Sequence, residues 1–261
     1  MLRSLNAVSP YFFDRGLTIG TSVAPAAFVR EALRHVRSSG QNDADLDDVL
    51  QFLAFAAPLV QRASAEFFQD LWALWEAGGK REGFFVEFGA ADGKSKSNTF
   101  FLEKEMNWKG VIAEPHPAFI NSLRRHRSCV VSDKCVYSRS GECIEFLATR
   151  VGELGRIAVI DPQDGHKRGD HTVVKVETIS LNDLLVEAQA PQDIDFLSID
   201  TEGSEFKILA HFEFDRWNVR TITVEHNRTK MREQIFDLLT SRGYRRKWPE
   251  ISYCDDWYVR S

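Results

Sequence analysis

Apolar positions along the chain fall into two rhythms, with the change near Gly78-Gly79. Before that point the spacing predicts helices. AAFVREALRHVRS (Ala26 to Ser38) sets Phe28, Ala32, Leu33 and Val36 at helical intervals. The acidic stretch Asp43 to Asp48 offers an N-cap and favourable first-turn charge for a helix through Leu50, Leu53 and Phe55. A third helix is expected from Ala63 to Ala77, with an apolar stripe of Phe67, Leu71, Leu74 and Trp75, stopped by Gly78-Gly79. Beyond Arg81 the rhythm becomes strand, turn, helix. GFFVEF, GVIAEP, DFLSID and TITVEH are short, nearly continuous apolar runs, as expected of strands buried on both faces, and each carries an acid at its C-terminal end. Helices are expected at Ala118–Arg127, Leu181–Ala188, Glu205–His211 and Arg232–Arg242, so the alternation predicts a parallel sheet with right-handed crossovers.

Two segments break the alternation. CIEFLAT and TVVKVET read as strands flanking the polar loop Gly152 to His171, a β-rich insertion whose loop is either a lid over substrate or a surface loop. The C-terminal GYRRKW and SYCDDWYVRS read as two strands with no helix between them, an antiparallel hairpin at the sheet edge. The expected organisation is a helical extension over residues 1–80 and a catalytic domain over 81–261. The extension would cover the cleft or form a dimer interface.

Composition narrows the class. The 261 residues are 43% hydrophobic, with 19 Phe and 6 Trp, which suffices for a large core. A net charge of -5 argues against a dedicated nucleic-acid binder. No run of roughly 18 apolar residues predicts a membrane span, and no signal peptide is evident, so a cytoplasmic protein is expected. Cys129, Cys135, Cys143 and Cys254 form no CxxC pair and are expected as reduced thiols. The basic runs Arg124–Arg127 and Arg242–Lys247 read as solvated surface.

Candidate chemistry gathers at the strand ends. Glu87-Phe88-Gly89-Ala90-Ala91-Asp92-Gly93 follows a strand directly; its glycines permit a tight turn and close backbone approach, and Glu87 suits a ligand with a positive amino-acid end. It is not the GxGxxG fingerprint, which argues against a nicotinamide-dependent oxidoreductase. Glu114 ends the next strand, where a carboxylate can accept from two ribose hydroxyls. Asp200 and Glu202 lie at the carboxyl end of a central strand, although Thr201, Ser204 and Glu205 can serve the next helix as cap and first-turn acid. Glu225, His226 and Asn227 end the strand after that. His226 can act as a general base, since its ordinary pKa lies near working pH, and Asp200, Glu225, His226 and Asn227 can converge on a hard divalent cation, magnesium or calcium rather than zinc.

FFVEFGAADG, SNTFFLEKEMNWKGVIAEPHP, VETISLNDLL, IDFLSIDTEGSEFKIL and ITVEHN, in that order from about Gly83 to about Tyr244, resemble the FkbM family of S-adenosylmethionine-dependent methyltransferases. The resemblance implies a Rossmann-like, seven-stranded class I methyltransferase sheet whose last strand is antiparallel, and S-adenosylmethionine as methyl donor. It implies that Glu87, Gly89, Ala91 and Gly93 hold the methionine end of the donor and that Glu114 holds its ribose. Ser97 and Asn98 would touch it, and Asp200 and Glu202 would stand near the transferring methyl. Asp200 and Glu225 occupy the places where some methyltransferases of similar fold hold magnesium. The implied reaction is O-methylation of a hydroxyl on a sugar or natural product, with Asp200 or His226 as base. The partner is then a small-molecule or glycan acceptor, with no nucleic acid and a homo-oligomer allowed. The alternative is a non-catalytic binding module on a degenerate methyltransferase fold.

Overall fold

The computed structural model describes Arg34 and residues 43–150, 154–161, 164, 166 and 168–261. The helix expected over Ala26 to Ser38 lies, apart from Arg34, outside them. Two helices precede the sheet, α1 (Asp43–Ala56) and α2 (Gln69–Glu76). Then follow β1 (Phe84–Phe88), α3 (Phe100–Met106), β2 (Lys109–Ala113), α4 (Pro117–His126), β3 (Val130–Ser132), β4 (Cys135–Tyr137), β5 (Cys143–Thr149), β6 (Arg156–Ile157) and β7 (His171–Ser180). The chain ends with α5 (Leu181–Glu187), β8 (Asp193–Ile199), α6 (Glu205–Ala210), β9 (Asn218–Glu225), α7 (Met231–Ser241), β10 (Tyr244–Lys247) and β11 (Asp255–Arg260).

Seven strands form one sheet in the order β3-β2-β1-β8-β9-β11-β10. All run parallel except β11, which is antiparallel to both β9 and β10. This is the Rossmann-like sheet expected, and the C-terminal strands form the expected edge hairpin. Strand order reverses between β1 and β8, which opens a crevice at the carboxyl ends of the strands. Register aligns those ends: Phe88 pairs with both Ala113 and Ile199, and Ile199 with Val224. Residues that follow each strand therefore emerge on one edge, which is why the scattered acids of the sequence come together.

Side chains alternate between two cores because a strand has a period of two. Val86, Val111, Leu197 and Ile222 pack against α5, α6 and α7 through Leu184, Ile208, Ile235 and Leu239. Phe85, Ile112, Phe196 and Trp257 face the other way, onto Phe52, Leu71, Trp72 and Phe101. Phe52, Trp72, Trp75, Trp248 and Trp257 form a continuous aromatic cluster, so α1 and α2 are bonded into the sheet's second core. The β-rich insertion is also present: a four-stranded sheet, β4-β7-β5-β6, in which β5 and β7 pair antiparallel along their length. Among the described residues no helix is long and apolar enough to cross a membrane.

Several expectations are corrected. The third helix begins at Gln69, not Ala63. Phe68 takes a left-handed φ of 64°, which a helix cannot continue through. The buried Asp70 carboxylate accepts instead from the N–H groups of Ser64 (2.7 Å) and Ala65 (3.2 Å), folding 64–68 back over the helix start. Burial pushes that carboxyl up to about 6. On α1 the buried face is Val49, Phe52, Leu53 and Ala56, and Leu50 is exposed. The short α3, which the sequence reading passed over, is ended by Asn107 in the left-handed region.

Candidate functional site

The glycine turn after β1 is set by steric necessity. At Gly89 (φ +83°) a Cβ would lie 1.7 Å from the Asp200 carbonyl oxygen, so only glycine lets the ends of β1 and β8 meet there. At Gly93 (φ +73°) a Cβ would meet Leu123 Cδ1 at 2.2 Å. Between them Ala91, at φ 46°, donates its N–H to Glu114 Oε2 at 2.9 Å. Glu114 Oε1 accepts from the His116 N–H at 2.8 Å. One carboxylate thus ties the glycine turn to the end of β2. Burial, outweighing those two bonds, raises its pKa to about 7.

Glu87 faces the chain's own groups as well as the cleft. Its Oε1 accepts from Asn98 N–H (2.7 Å), and its Oε2 from the hydroxyls of Ser97 (2.9 Å) and Thr99 and from Arg127 Nη1 (3.4 Å). Arg127 corrects the sequence reading of its cluster as solvated surface. Its side chain is fully buried, paired to Glu87 and Glu103 and donating to Gly93 O. Lys247, in the second basic run, is likewise buried, on Asp48 and Glu76. Nothing local in RRHR or RRK marks which member turns inward.

The acids after β8 and β9 divide into two roles. Glu205 closes its own loop, accepting from the N–H groups of Thr201 (2.8 Å) and Gly203 (3.0 Å). Asp200, Glu202 and Glu225 converge: one carboxylate oxygen from each lies within 4.8 Å of the others. Burial first, then the charge of Glu202, pushes Asp200 far up, and burial and Asp200 do the same to Glu225. Glu202 rises to about 7 from burial, although Arg168 from the insertion loop pairs with it. Asp200 Oδ1 is buried without a hydrogen-bond partner among the described residues.

These side chains line one cavity of about 390 Å³ at the strand ends. It brings together Glu87, Gly89, Ala91, Ser97, Asn98, Asp200, Glu202, Glu225 and Asn227. Glu114 lines a smaller adjoining space, about 40 Å³, between the glycine turn and Phe146 and Ile157 of the insertion. Of the loop expected between Gly152 and His171, Leu154 and His166 reach the main cavity. The structure does not bring His226 there. Its Nδ1 accepts from the Arg228 N–H at 2.9 Å and its Nε2 stands 3.7 Å from Asp256, on the far side of β9. Burial lowers its pKa to about 4, which keeps it neutral. The sequence reading also missed the outer wall, made of Phe67, Gln69, Tyr253 and Asp255.

No curated protein matches the chain. Among solved structures it is similar to the crystal structure of precorrin-6y C5,15-methyltransferase from Geobacter metallireducens GS-15, with a TM-score of 0.39 and 12% identity over 76% of this chain and 91% of that one. The model of the FkbM methyltransferase domain matches residues 87–246, from the acid of the glycine turn to the hairpin. That span is more than half of the sequence, and the chain belongs to the FkbM methyltransferase domain family.

Proposed function

We propose that the protein transfers the methyl group of S-adenosylmethionine to a hydroxyl of a sugar or natural-product acceptor, in the cavity at the strand ends. The observation that carries this reading is the single acid-lined edge on which the Gly89 turn, Glu114, Asp200 and Glu225 stand together. The donor is cationic at both its sulfonium and its ammonium, and the cavity offers Glu87, Asp200, Glu202, Glu225 and Asp255, with Asp200 Oδ1 lacking a partner among the described residues. That donor set fits the ligand.

When bound, S-adenosylmethionine supplies an electrophilic methyl on sulfur. Glu87, with the backbone of the glycine turn, Ser97 and Asn98, holds the methionine end. Glu114 keeps a second lone pair on each oxygen for the ribose hydroxyls. Asp200 takes the proton of the acceptor hydroxyl. Two carboxyls this close share a proton when alone, and they release it more readily beside a positive charge, so the base is ionised when a cation fills the cavity. Positioning supplies most of the remaining rate. The three converging carboxylates also have the donor chemistry of magnesium; Asp200 and Glu225 would hold it, and it would supply a Lewis acid for the acceptor oxygen.

Calorimetric titration with S-adenosylhomocysteine, with and without magnesium, tests the donor site. Micromolar binding is expected, and tighter binding of acceptor in magnesium would assign the metal. No binding in either condition returns the chain to the binding-module alternative. Asp200→Asn is expected to retain S-adenosylhomocysteine and to lose methyl transfer by about 10²- to 10⁴-fold, the usual contribution of a positioned base.

A further inference from the structure

The family-matched residues, 87–246, supply the donor side of the cavity. The outer wall comes from two segments outside them, 66–69 before and 253–255 after. These are joined to each other and to the acids. Gln69 Nε2 donates to Asp255 Oδ2 at 2.7 Å, across a separation of 186 residues. Asp255 pairs in register with Glu225, and the carbonyl of Cys254 accepts from the N–H groups of His226 (2.8 Å) and Asn227 (3.2 Å). The wall is therefore fixed directly beside the Asp200–Glu225 pair.

Its chemistry is two-sided. Phe67 stacks on Tyr253 with ring centroids 4.9 Å apart, and the Arg228 guanidinium packs over Tyr253 at 5.0 Å. Both aromatic residues are half-buried and line the cavity. The turns that present them are strained: Phe68 (φ 64°), Tyr253 (φ 62°), Asn227 (φ 44°) and Arg228 (φ 57°) all sit in the left-handed region without being glycine. Such strain is retained where surrounding contacts enforce a particular presentation. Next to these rings the cavity is lined by hydrogen-bond acceptors, the carboxylates of Asp200 and Glu225 and, on the wall itself, Asp255.

We infer that Phe67, backed by Tyr253, is the wall against which the acceptor is seated, and that the acceptor is an uncharged ring bearing several hydroxyls. This rests on the methyl-transfer reading above. A ring with an apolar C–H face and donating hydroxyls satisfies both sides at once. An anionic acceptor, such as a sugar phosphate, meets a cluster of like charge. A flat phenolic ring uses the aromatic wall and leaves most of the acceptor groups unpaired.

The test uses the whole chain saturated with S-adenosylhomocysteine and saturation-transfer NMR. The probes are methyl α-glucopyranoside, methyl α-mannopyranoside and methyl α-rhamnopyranoside, with glucose 6-phosphate and 4-nitrophenol as contrasts. Expected is saturation of the ring C–H protons of at least one glycoside and none of the phosphate. Phe67→Ala should weaken that glycoside by about ten-fold, and Phe67→Trp should retain it. S-adenosylhomocysteine affinity should stay within about two-fold in both variants, because only the ring of Phe67 changes and the contact of its segment to the Ser97 backbone (Ser64 Oγ to Ser97 O, 2.7 Å) stays in place. Preference for the phenol or the phosphate, glycoside binding unchanged in Phe67→Ala, or no glycoside binding while S-adenosylhomocysteine binds would each overturn the inference. Failure of the wild type to bind S-adenosylhomocysteine would instead remove the methyl-transfer reading on which it stands.

Discussion

Glu114→Gln tests the donor site most sharply, because the structure fixes both its geometry and its proton. Each oxygen of the buried Glu114 carboxylate receives one backbone N–H, from Ala91 at 2.9 Å and His116 at 2.8 Å. A glutamine fills the same space but turns an N–H₂ toward one of those donors. One buried N–H is then left unpaired, at a cost of about 1–3 kcal/mol in stability. Ligand binding loses a hydrogen bond to a charged acceptor, about 1.5–3 kcal/mol, which is about ten- to a hundred-fold in affinity. The pH dependence has a definite sign. Burial raises the folded carboxyl from 4.5 to about 7, so it holds its proton where the unfolded chain has lost it. The associated stability is complete below pH 4.5 and is lost as pH rises through about 7, an effect of ~3 kcal/mol at most. Affinity for S-adenosylhomocysteine moves oppositely, rising as the carboxylate ionises to accept ribose hydroxyls. Calorimetry and denaturant unfolding from about pH 5 to 8.5 follow both, since glutamine does not titrate. The variant should bind weakly with this pH dependence removed. Unchanged affinity with an unchanged pH profile would refute the assignment of Glu114.

Arg127→Leu strands Glu87 and Glu103, both with nearly buried side chains, without their cation, and should cost about 3–5 kcal/mol in denaturant unfolding. A loss below 1 kcal/mol, the usual worth of an exposed pair, would mean that Arg127 is not enclosed as described. Gly89→Ala drives a methyl group into the Asp200 carbonyl at a left-handed position, so a lowered melting temperature and loss of S-adenosylhomocysteine binding are expected together. Normal binding would show that the ends of β1 and β8 can part freely. His226→Asn preserves an acceptor for the Arg228 N–H and leaves the lining of the main cavity unchanged, so turnover should fall by less than about ten-fold, the scale of one lost hydrogen bond. A fall above a hundred-fold in single-turnover rate would restore His226 as the base.

The sheet was legible because strands buried on both faces carry their apolar residues without interruption, and GFFVEF, GVIAEP, DFLSID and TITVEH do so. Their terminal acids were legible because chain direction in a parallel sheet puts every strand end on one edge. Features decided by tertiary contact were not. Arg127 and Arg125 are alike in sequence, yet only Arg127 meets Glu87 and Glu103. The stripe through Phe67 has helical spacing, but Asp70 captures the N–H groups of Ser64 and Ala65 and the chain turns. His226 follows a strand that ends at the cavity, and alternation sends its ring to the other side. The outer wall joins Gln69 to Asp255 over a separation of 186 residues along the chain, so no local motif could mark it.

The acids of the cavity show why such a site is carried at some cost to the fold. Asp200, Glu202 and Glu225 each sit above their ordinary pKa, and the leading cause each time is burial. A cation brings such values down, as Glu103 shows beside Arg127, whereas backbone donors alone do not, since Asp70 and Glu205 stay raised. Of these three acids Arg168 reaches only Glu202; its other partner is Asp164, and it belongs to the insertion loop rather than to the sheet. Asp200 and Glu225, between the glycine turn and the aromatic wall, have no such cation beside them among the described residues. In the proposed reaction a positively charged ligand would supply that charge, and it would favour the ionised carboxylate needed to accept a hydroxyl proton. The stability these buried carboxyls give up and the readiness of the proposed base are two consequences of one arrangement.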